Sequence, residues 1–505
     1  MTIKRFCSLL MAAAMGLTLI GCGGAPAEND SPAGFDAQDN APAELSANIG
    51  QSDADKEPES LPFFASLFHT KKKAVTPSVK AVSNEIAKAV YPTTAPFPNE
   101  EDYISANGSF DSEAYFKAYE KWTAVVSARP DLTAEEVAPL NAFFRDSARQ
   151  FLSGKENRVY SPLNIYMALA MLSNLTAGNS QKQILKLLDA KSADALRTQA
   201  NRIWNALYTD DGASTTLLGS SIWLNQSVRF NADTLKKISE SFYASSYSGK
   251  MGSKEFDAAL QTWLNEQTRG LLSQQAGGVS MSPETLLALA TTIYFKANWH
   301  DKFNEAATKT DTFHAADGDR KAPFMRQTFT GAYYQGKGFT AVYKYLRDSG
   351  MWLILPDKDK TPADLLENNA VMDFLAAPEK YVNISRADIT LSLPKFDVSA
   401  DLNLIAGLKA LGITDVFNSA ASNFSPMTTD AEKIVIGQAK HAARVKIDEE
   451  GCEAAAFTVM MAEATAMMEQ PPKVNFTLDR PFLFAVTATE NLPLFVGAVQ
   501  TPIAA

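Results

Sequence analysis

Residues 448–458 place the strongest constraint on the fold of this chain. They follow a β-branched strand pattern over residues 433–447, they are rich in small side chains, and the next turn signal comes only at Pro471 and Pro472. Small residues suit a solvated loop, a strand or the start of a helix, so a helical or irregular surface loop is the ordinary alternative. The fold must therefore accept a segment that is compatible with both water and a sheet.

The N-terminus is typical of a processing signal. Two basic residues precede an apolar stretch over residues 9–20, which is too short to span a membrane. The stretch ends in Leu-Ile-Gly-Cys at Cys22 and resembles a bacterial lipobox, which implies that Cys22 is diacylated and that residues 1–21 are a lipoprotein signal peptide. An ordinary secretory signal with an incidental cysteine is the alternative.

Cysteine usage follows from this processing. Cys7 leaves with the signal and Cys22 is acylated, so Cys452 is the single thiol of the mature chain and no intramolecular disulfide can form. Two acyl chains anchor a protein stably, whereas one chain binds only marginally. We therefore expect an extracytoplasmic protein that is attached to a bacterial membrane through Cys22.

Three regions follow the signal. Residues 22–60 are rich in Ala, Asp, Pro, Ser and Asn, which predicts a disordered tether. Residues 61–130 contain clustered aromatic side chains and are predicted to form an extension that leans on the main domain. The main domain is predicted over residues 131–505, where Thr133 and Glu136 form a capping box ahead of apolar residues at helical spacing.

Helical patterns come first in the main domain and strand patterns concentrate later. Ser161 and Pro162 are predicted to cap an apolar, buried helix over residues 163–175. Strand patterns occupy residues 218–224, 291–296, 351–355, 389–396 and 433–447, and a terminal hairpin is predicted from residues 481–487 and 494–499. This segregation predicts an α+β fold.

The sequence lacks the motifs of conventional enzymes and of metal sites. The four histidines fall in no H-E-x-x-H pattern, the cysteines cannot form a zinc cluster, and neither a G-x-S-x-G elbow nor a Gly-rich phosphate loop after a strand is present. The formal net charge of −10 argues against nucleic-acid binding. We therefore expect no enzymatic activity, no catalytic residues, no metal or other cofactor and no nucleic-acid partner.

Six ordered segments of the main domain resemble the serpin family. They read NRVYSPLNI at 157–165, TIYFKANW at 292–299, LPKF at 393–396, LGITDVF at 411–417, DEEGCEAAA at 448–456 and DRPFLF at 479–484. Each segment is weak evidence alone, but their order over residues 132–502 is specific. The resemblance implies an α+β fold with three β-sheets, about nine helices and an exposed reactive-centre loop.

The resemblance also implies a protease inhibitor that acts by suicide. A serine protease attacks the exposed loop as a substrate, and after acylation the first part of the loop inserts as a strand into the largest sheet and distorts the covalently attached enzyme. The native state must therefore be metastable and kinetically trapped. The hinge of this loop corresponds to Glu449, Glu450, Gly451, Cys452, Glu453, Ala454, Ala455 and Ala456.

The alternation of side chains in the hinge fits insertion. In a strand, Cys452, Ala454 and Ala456 face one side and Glu453 and Ala455 the other, so the small side chains would enter the core while the charge stays at the surface. Cys452 stands where the family usually has Thr or Ser. The first residue expected to insert is therefore a thiol.

The reactive bond has two possible positions. Counting on from the hinge glycine places it between Thr465 and Ala466, whereas counting back from the last matching segment gives Met467 or Met468. All four residues are small or unbranched and apolar, and residues 452–470 contain no Arg or Lys. We therefore predict targets that resemble elastase or subtilisin.

The resemblance assigns supporting roles to Glu449 and to four further positions. Trp299 corresponds to the tryptophan beneath the entry point of the loop, and Glu449 and Lys395 to a salt bridge that steadies the hinge. As an exposed pair it would contribute little to stability but could set the rate of opening. His441 and Ser161 correspond to a cluster in mid-sheet, the shutter, in which a buried histidine would in any case be satisfied by its neighbours.

Two shutter positions depart from the family pattern. Asn164 replaces a serine, and Thr291 stands where an asparagine commonly bridges the sheet strands. The hydrogen bonds of the shutter are therefore expected to be rewired.

Two other functions remain open at this stage. One is a non-inhibitory binding or chaperone-like protein with the same fold, and the other is an inhibitor of cysteine proteases, which the apolar loop permits. The hinge favours the serine protease inhibitor, because residues 451–456 contain no bulky side chain and no proline. We expect a monomer whose partners are serine proteases, in a covalent acyl complex, and a membrane.

Overall fold

Eleven α-helices form within residues 85–367, 369–381, 383–428, 430, 434–452 and 471–502, which are the residues described by the computed structural model. They are α1 (Ser112–Ser127), α2 (Ala134–Leu152), α3 (Pro162–Leu175), α4 (Gly178–Leu187), α5 (Ala193–Leu207), α6 (Ala232–Phe242), α7 (Lys254–Gln267), α8 (Ser273–Gly277), α9 (Pro362–Glu367), α10 (Ala370–Ala376) and α11 (Ile405–Ala410). None of the helices in these ranges is both long and apolar enough to cross a lipid bilayer.

Seventeen strands occupy the same ranges, and most of them follow α8. They are β1 (Glu85–Ala87), β2 (Arg158–Tyr160), β3 (Thr209–Asp210), β4 (Ser214–Asn225), β5 (Ala244–Gly249), β6 (Leu287–Asn298), β7 (Lys309–Ala315), β8 (Gly318–Gln335), β9 (Phe339–Leu346), β10 (Ser349–Pro356), β11 (Ile384–Pro394), β12 (Phe396–Asn403), β13 (Lys440–Ile447), β14 (Gly451–Cys452), β15 (Lys473–Thr477), β16 (Phe482–Thr487) and β17 (Pro493–Val499).

The described strands form three sheets. A six-stranded sheet has the order β1-β5-β4-β6-β14, with β3 beside β4. A nine-stranded sheet has the order β15-β11-β8-β9-β10-β16-β17-β2, with β7 beside β8, and β12 and β13 form a two-stranded sheet. The α+β fold with three sheets is thus confirmed.

The helix count and the receiving sheet differ from the expectation. Eleven α-helices are described where about nine were expected, because α1 lies in the N-terminal extension and α8 is a single short turn of five residues. The nine-stranded sheet is the largest described, but the hinge strand β14 joins the six-stranded sheet instead. The reason is positional, since β14 extends the row of strands at the edge presented by β6.

Two helices begin where local capping chemistry predicts. The Thr133 backbone N–H donates to Glu136 Oε2 at 3.0 Å and the Glu136 N–H donates to Thr133 Oγ1 at 3.3 Å, which completes the capping box of α2. Ser161 caps α3 by accepting from the Asn164 N–H at 3.1 Å, with Pro162 as the first helical residue. Both helices place their apolar faces in the core.

The strand pattern over residues 433–447 extends further than the strand itself. Strand β13 begins only at Lys440. The preceding backbone is bonded elsewhere, because the Ile436 N–H donates to Val416 O at 2.8 Å and Ala439 O accepts from the Leu404 N–H at 2.8 Å. Tertiary hydrogen bonds therefore set the start of this strand, although the apolar pattern continues before it.

The described part of the extension, residues 85–130, contacts the main domain at the edge of the six-stranded sheet. Strand β1 pairs with β5, and the Tyr91 ring stacks on Tyr208 and Tyr243 at 5.6 and 6.0 Å. The Trp122 indole N–H donates to Asp211 Oδ2 at 3.0 Å. Backbone pairing, ring stacking and a hydrogen bond thus attach these residues to the core.

Candidate functional site at the hinge

The hinge is already joined to the six-stranded sheet at Gly451 and Cys452. Gly451 pairs with Asn298 and Cys452 with Ala297 on β6, and β14 also contacts β13, the strand that precedes it in the chain. Cys452 is only 4% exposed. The expectation that Cys452 inserts first therefore needs correction, because Cys452 is already in the sheet and further insertion would begin with Glu453.

Close approach to β6 requires a glycine at position 451. A Cβ atom there would lie 2.5 Å from Ala297 O and 2.7 Å from Asn298 Cα, and the backbone adopts φ +151°. Both the contact and the dihedral angle exclude an ordinary side chain. Gly451 thereby fixes the point at which the chain enters the sheet.

The turn before β14 is held by its own aspartate. Asp448 Oδ1 accepts from the backbone N–H groups of Glu450 and Gly451 at 3.1 and 3.3 Å. The Asp448 N–H in turn donates to Gly451 O at 3.1 Å. This Asx turn gives the hinge a defined shape before any partner binds.

Trp299 and Phe303 form hydrogen bonds with the backbone at the start of the hinge. The Trp299 indole N–H donates to Asp448 O at 2.9 Å and its backbone N–H to Glu450 O at 3.0 Å. The Phe303 backbone N–H donates to Glu449 O at 3.1 Å. Residues 299–303, which follow β6 directly, thus bind the three consecutive carbonyl groups of residues 448–450 at the start of the hinge.

The Lys395–Glu449 pair is buried rather than exposed. Lys395 Nζ lies 2.5 Å from Glu449 Oε2, Thr308 Oγ1 donates to Glu449 Oε1 at 2.7 Å, and the side chain of Glu449 is only 6% exposed. Burial by itself raises the pKa of Glu449, but the hydrogen bonds from Lys395 and Thr308 outweigh it and hold the pKa below its ordinary value. The exposure expected of this pair is therefore wrong at Glu449, and loss of Lys395 would leave a buried carboxylate without its cation.

The structure contains a second ion pair of the hinge that the sequence does not predict. Lys302 Nζ lies 2.5 Å from Glu450 Oε2, and Lys302 is mostly buried. Its proximity to the matching segment that ends at Trp299 was the only available signal. The two consecutive glutamates of the hinge thus bind two lysines from different parts of the chain.

The shutter connects β13 and β6 through the start of α3. The Ser161 backbone N–H donates to His441 Nε2 at 3.0 Å, and Asn164 Nδ2 donates to Thr291 O at 3.3 Å. The bond to β6 therefore comes from a helix side chain and ends on a backbone carbonyl group. This arrangement differs from the strand-to-strand bridge of the family pattern.

His441 is a neutral acceptor in this cluster. Its ring is buried, and burial lowers the pKa of His441 to about 4. Because Nε2 accepts a hydrogen bond, the ring proton of the neutral form belongs on Nδ1. Protonation of Nε2 would remove the acceptor of the Ser161 N–H.

Several site predictions lie outside the described residues. These are the reactive-bond candidates Thr465, Ala466, Met467 and Met468, the hinge residues Glu453, Ala454, Ala455 and Ala456, and the lipidation site Cys22. In the described part of the chain, no group of three or more His, Cys, Asp and Glu residues is arranged to hold a metal ion.

Comparison with known families decides the identity of this arrangement. A family model described as "Serpin (serine protease inhibitor)" matches residues 140–502, which is more than half of the chain. The chain belongs to the serpin family. The six sequence segments, the three sheets and the hinge strand are therefore parts of a serpin fold.

Relatives match the serpin region along nearly their whole length. The chain is 29% identical over 367 residues to human leukocyte elastase inhibitor, covering 68% of this chain and 93% of that protein. It is 28% identical over 373 residues to Serpin-ZX of Arabidopsis thaliana, covering 70% and 94%. The solved structure of Arabidopsis AtSerpin1 in its native stressed conformation superposes with a TM-score of 0.64 at 25% identity, covering 74% and 100%.

The Gly451→Ala change tests the close approach of this serpin's hinge to β6. The added Cβ would collide with Ala297 O unless β14 moves away from β6. We therefore expect a loss of stability of about 1–3 kcal/mol, which is measured as a lower thermal midpoint. Gly437→Ala is the matched control, because nothing lies within 4 Å of its Cβ position. Equal midpoints for the two variants would show that the contact at Gly451 is relaxed at no cost.

The buried His441 makes stability depend on acidity. The pKa of about 4 in the folded protein lies below the ordinary value of about 6.5, so the unfolded chain binds a proton first as the pH falls. We expect stability to decrease from about pH 6.5 to pH 4, by up to about 3 kcal/mol, in thermal unfolding followed by circular dichroism. His441→Gln should reduce this dependence and exposed His314→Gln should leave it intact; the reverse ranking would contradict the assignment.

Proposed function

We propose that this serpin is a suicide-substrate inhibitor of serine proteases with elastase-like or subtilisin-like specificity. The observation that carries the proposal is the position of β14, which pairs with β6, contacts β13 and leads directly into the small residues of the hinge. Continued pairing along β6 requires only that the following residues adopt a strand. Membership of a family described as serine protease inhibitors supports the same function.

The buried side chain of Cys452 supports insertion of the residues after it. Strand alternation would put Ala454, Ala456 and Thr458 on the same side as Cys452, and all of them are small. Glu453 would then face away from the core. This pattern lets the chain become a central strand without burying a charge.

The hinge contacts supply a barrier to spontaneous insertion. The Lys395–Glu449 and Lys302–Glu450 pairs and the carbonyl bonds to Trp299 and Phe303 hold the entry point in one geometry. A native state kept by such contacts is kinetically stable even when a lower-energy inserted form exists. Loop cleavage by the target protease would then release the segment for insertion.

The sequence of the loop and one relative support the target class. Residues 452–470 contain no Arg or Lys, so a trypsin-like pocket would find no basic side chain there. Human leukocyte elastase inhibitor, whose name states its target, is 29% identical to this chain. The proposed reactive bond is Thr465–Ala466, with Met467 or Met468 as alternatives.

Incubation with pancreatic elastase, subtilisin, trypsin and papain tests the proposal. We expect a protein–protease band that survives denaturing gel electrophoresis with elastase or subtilisin, because the acyl bond is covalent. A trypsin-only complex would overturn the specificity, a papain-only complex would favour cysteine proteases, and cleavage without any complex would favour a non-inhibitory role. Mass spectrometry of the released peptide identifies the reactive bond.

A matched pair of hinge variants separates insertion from simple binding. Ala454→Arg would force a charge into the core during insertion, so we expect the protein to be cleaved as a substrate with at least a tenfold loss of complex. Glu453→Arg, one residue earlier, would keep its charge at the surface and should retain complex formation. Equal yields from both variants would contradict insertion of this segment.

We also propose that Cys22 anchors the inhibitor to an extracytoplasmic membrane surface, because the sequence before it resembles a lipobox. Expression of the full chain in a bacterium with labelled palmitate should give a labelled protein in the membrane fraction. Cys22→Ser should abolish the label and release the protein from the membrane fraction, since no acyl chain would remain to anchor it. Cys7→Ser should keep both, and unchanged labelling of Cys22→Ser would refute the anchor.

A further inference from the structure

The side-chain amine of Lys344 is buried next to Trp299 and Phe303, the two residues that bind the hinge backbone. Lys344 lies on β9 and is only 2% exposed. Its Nζ donates to Asp301 O at 2.9 Å and to Gln327 Oε1 at 2.6 Å, and both acceptors are uncharged groups. Burial of an amine with neutral acceptors is unusual, because lysines are almost never fully buried unless they are paired.

Three aromatic rings enclose the same amine. Nζ lies 5.2 Å from the centroid of the Trp299 ring, 4.6 Å from that of Phe303 and 4.9 Å from that of Phe329. Such rings attract a cation and replace part of its lost hydration. The amine therefore has a defined site, although it is separated from water.

The residues that enclose the amine also hold the hinge. Trp299 donates to Asp448 O and Phe303 donates to Glu449 O, while the bond from Lys344 to Asp301 O fixes the backbone between them. Lys344 and the hinge thus both contact residues 299–303, through different groups of these residues. Departure of the hinge would break the bonds that Trp299 and Phe303 make to it, and the rings of these two residues face the amine.

Most of the charged side chains near Lys344 form ion pairs with other residues. Asp301, whose backbone carbonyl accepts from Lys344, has its carboxylate 3.4 Å from His300 Nδ1. On the hinge side, Lys302 binds Glu450, and the two residues of the Lys395–Glu449 pair bind each other. Burial lowers the pKa of Lys344 to about 7, against an opposing attraction from Asp301.

We propose that Lys344 is a positioning residue that determines how readily the hinge leaves residues 299–303. The amine is dehydrated while the hinge is docked and becomes hydrated when the hinge departs, so the docked state carries a penalty that departure relieves. The idea refines the proposed inhibitory function and rests on it, because hinge movement precedes insertion. It assigns no contact with the protease to Lys344.

Linkage gives the direction of the pH dependence. Hydration returns the amine toward its ordinary pKa of about 10.5, so the open state binds protons more tightly than the docked state. Protonation therefore favours opening. Relative to a protein with a neutral side chain at this position, opening should be greatest below about pH 7 and decrease by up to about tenfold for each pH unit above it.

The thiol of Cys452 reports on opening without any protease. Full-length protein carrying Cys7→Ser and Cys22→Ser has Cys452 as its only thiol, and this side chain must leave the sheet to react with a maleimide. The labelling rate is measured from pH 6 to pH 9 with Lys344 present and with Lys344→Met. The ratio of the two rates at each pH removes the intrinsic ionisation of the thiol and any other pH dependence that the two proteins share.

We expect this ratio to exceed one at pH 6 and to decrease about fivefold or more by pH 9. Lys337→Met, which removes an exposed lysine on the adjoining turn, should leave the pH profile unchanged. A ratio that varies less than twofold, or a profile that Lys337→Met changes equally, would overturn the proposal. If Lys344→Met does not fold, Lys344→Gln replaces it, and failure of both would show that the native state requires the charge, which also overturns it.

The outcome can be separated from that of the inhibitory function. A pH-dependent ratio together with no covalent complex on any protease would retain the role of Lys344 in hinge movement and reject inhibition. A covalent complex together with a flat ratio would retain inhibition and reject the role of Lys344.

Discussion

The buried Lys395–Glu449 pair is the interaction on which the hinge geometry depends. Glu449 sits in the middle of the turn that begins at Asp448, so its position determines where Gly451 meets β6. A buried carboxylate without its lysine would carry a large desolvation penalty, and the turn would have to rearrange to relieve it. The carbonyl bonds to Trp299 and Phe303 depend on the same geometry, because they bind the adjacent peptide groups.

Two sets of contacts, one at the hinge and one at the shutter, hold the chain next to β6 in place. At the hinge, β14 pairs with β6 and contacts β13, and at the shutter, α3 binds His441 on β13 and Thr291 on β6. Both sets of contacts include a few specific hydrogen bonds. Such contacts are geometrically specific but contribute modest net energy, which is compatible with the strand insertion proposed above.

Local chemistry made part of this serpin predictable. The capping box of α2, the Ser161 cap of α3 and the terminal hairpin of β16 and β17 depend on residues close in sequence, and the structure confirms each of them. The start of β13 was predicted too early because its preceding backbone bonds to residues near 404 and 416. Burial of Glu449 was also not predictable, since it requires Lys395, Thr308 and the hinge turn to converge from separate elements.

The sequence by itself determined the α+β class, the family and the order of small residues in the hinge, because these depend on local patterns and on motif order. Only the tertiary structure decided that Gly451 and Cys452 are already paired with β6, that Asn164 carries the shutter bond to β6, and that Lys344 is enclosed behind Trp299. Each of these facts depends on distances between residues that are far apart in the sequence and belong to different elements of the fold. Burial and charge compensation are properties of such assembled sites, and a linear pattern does not contain them.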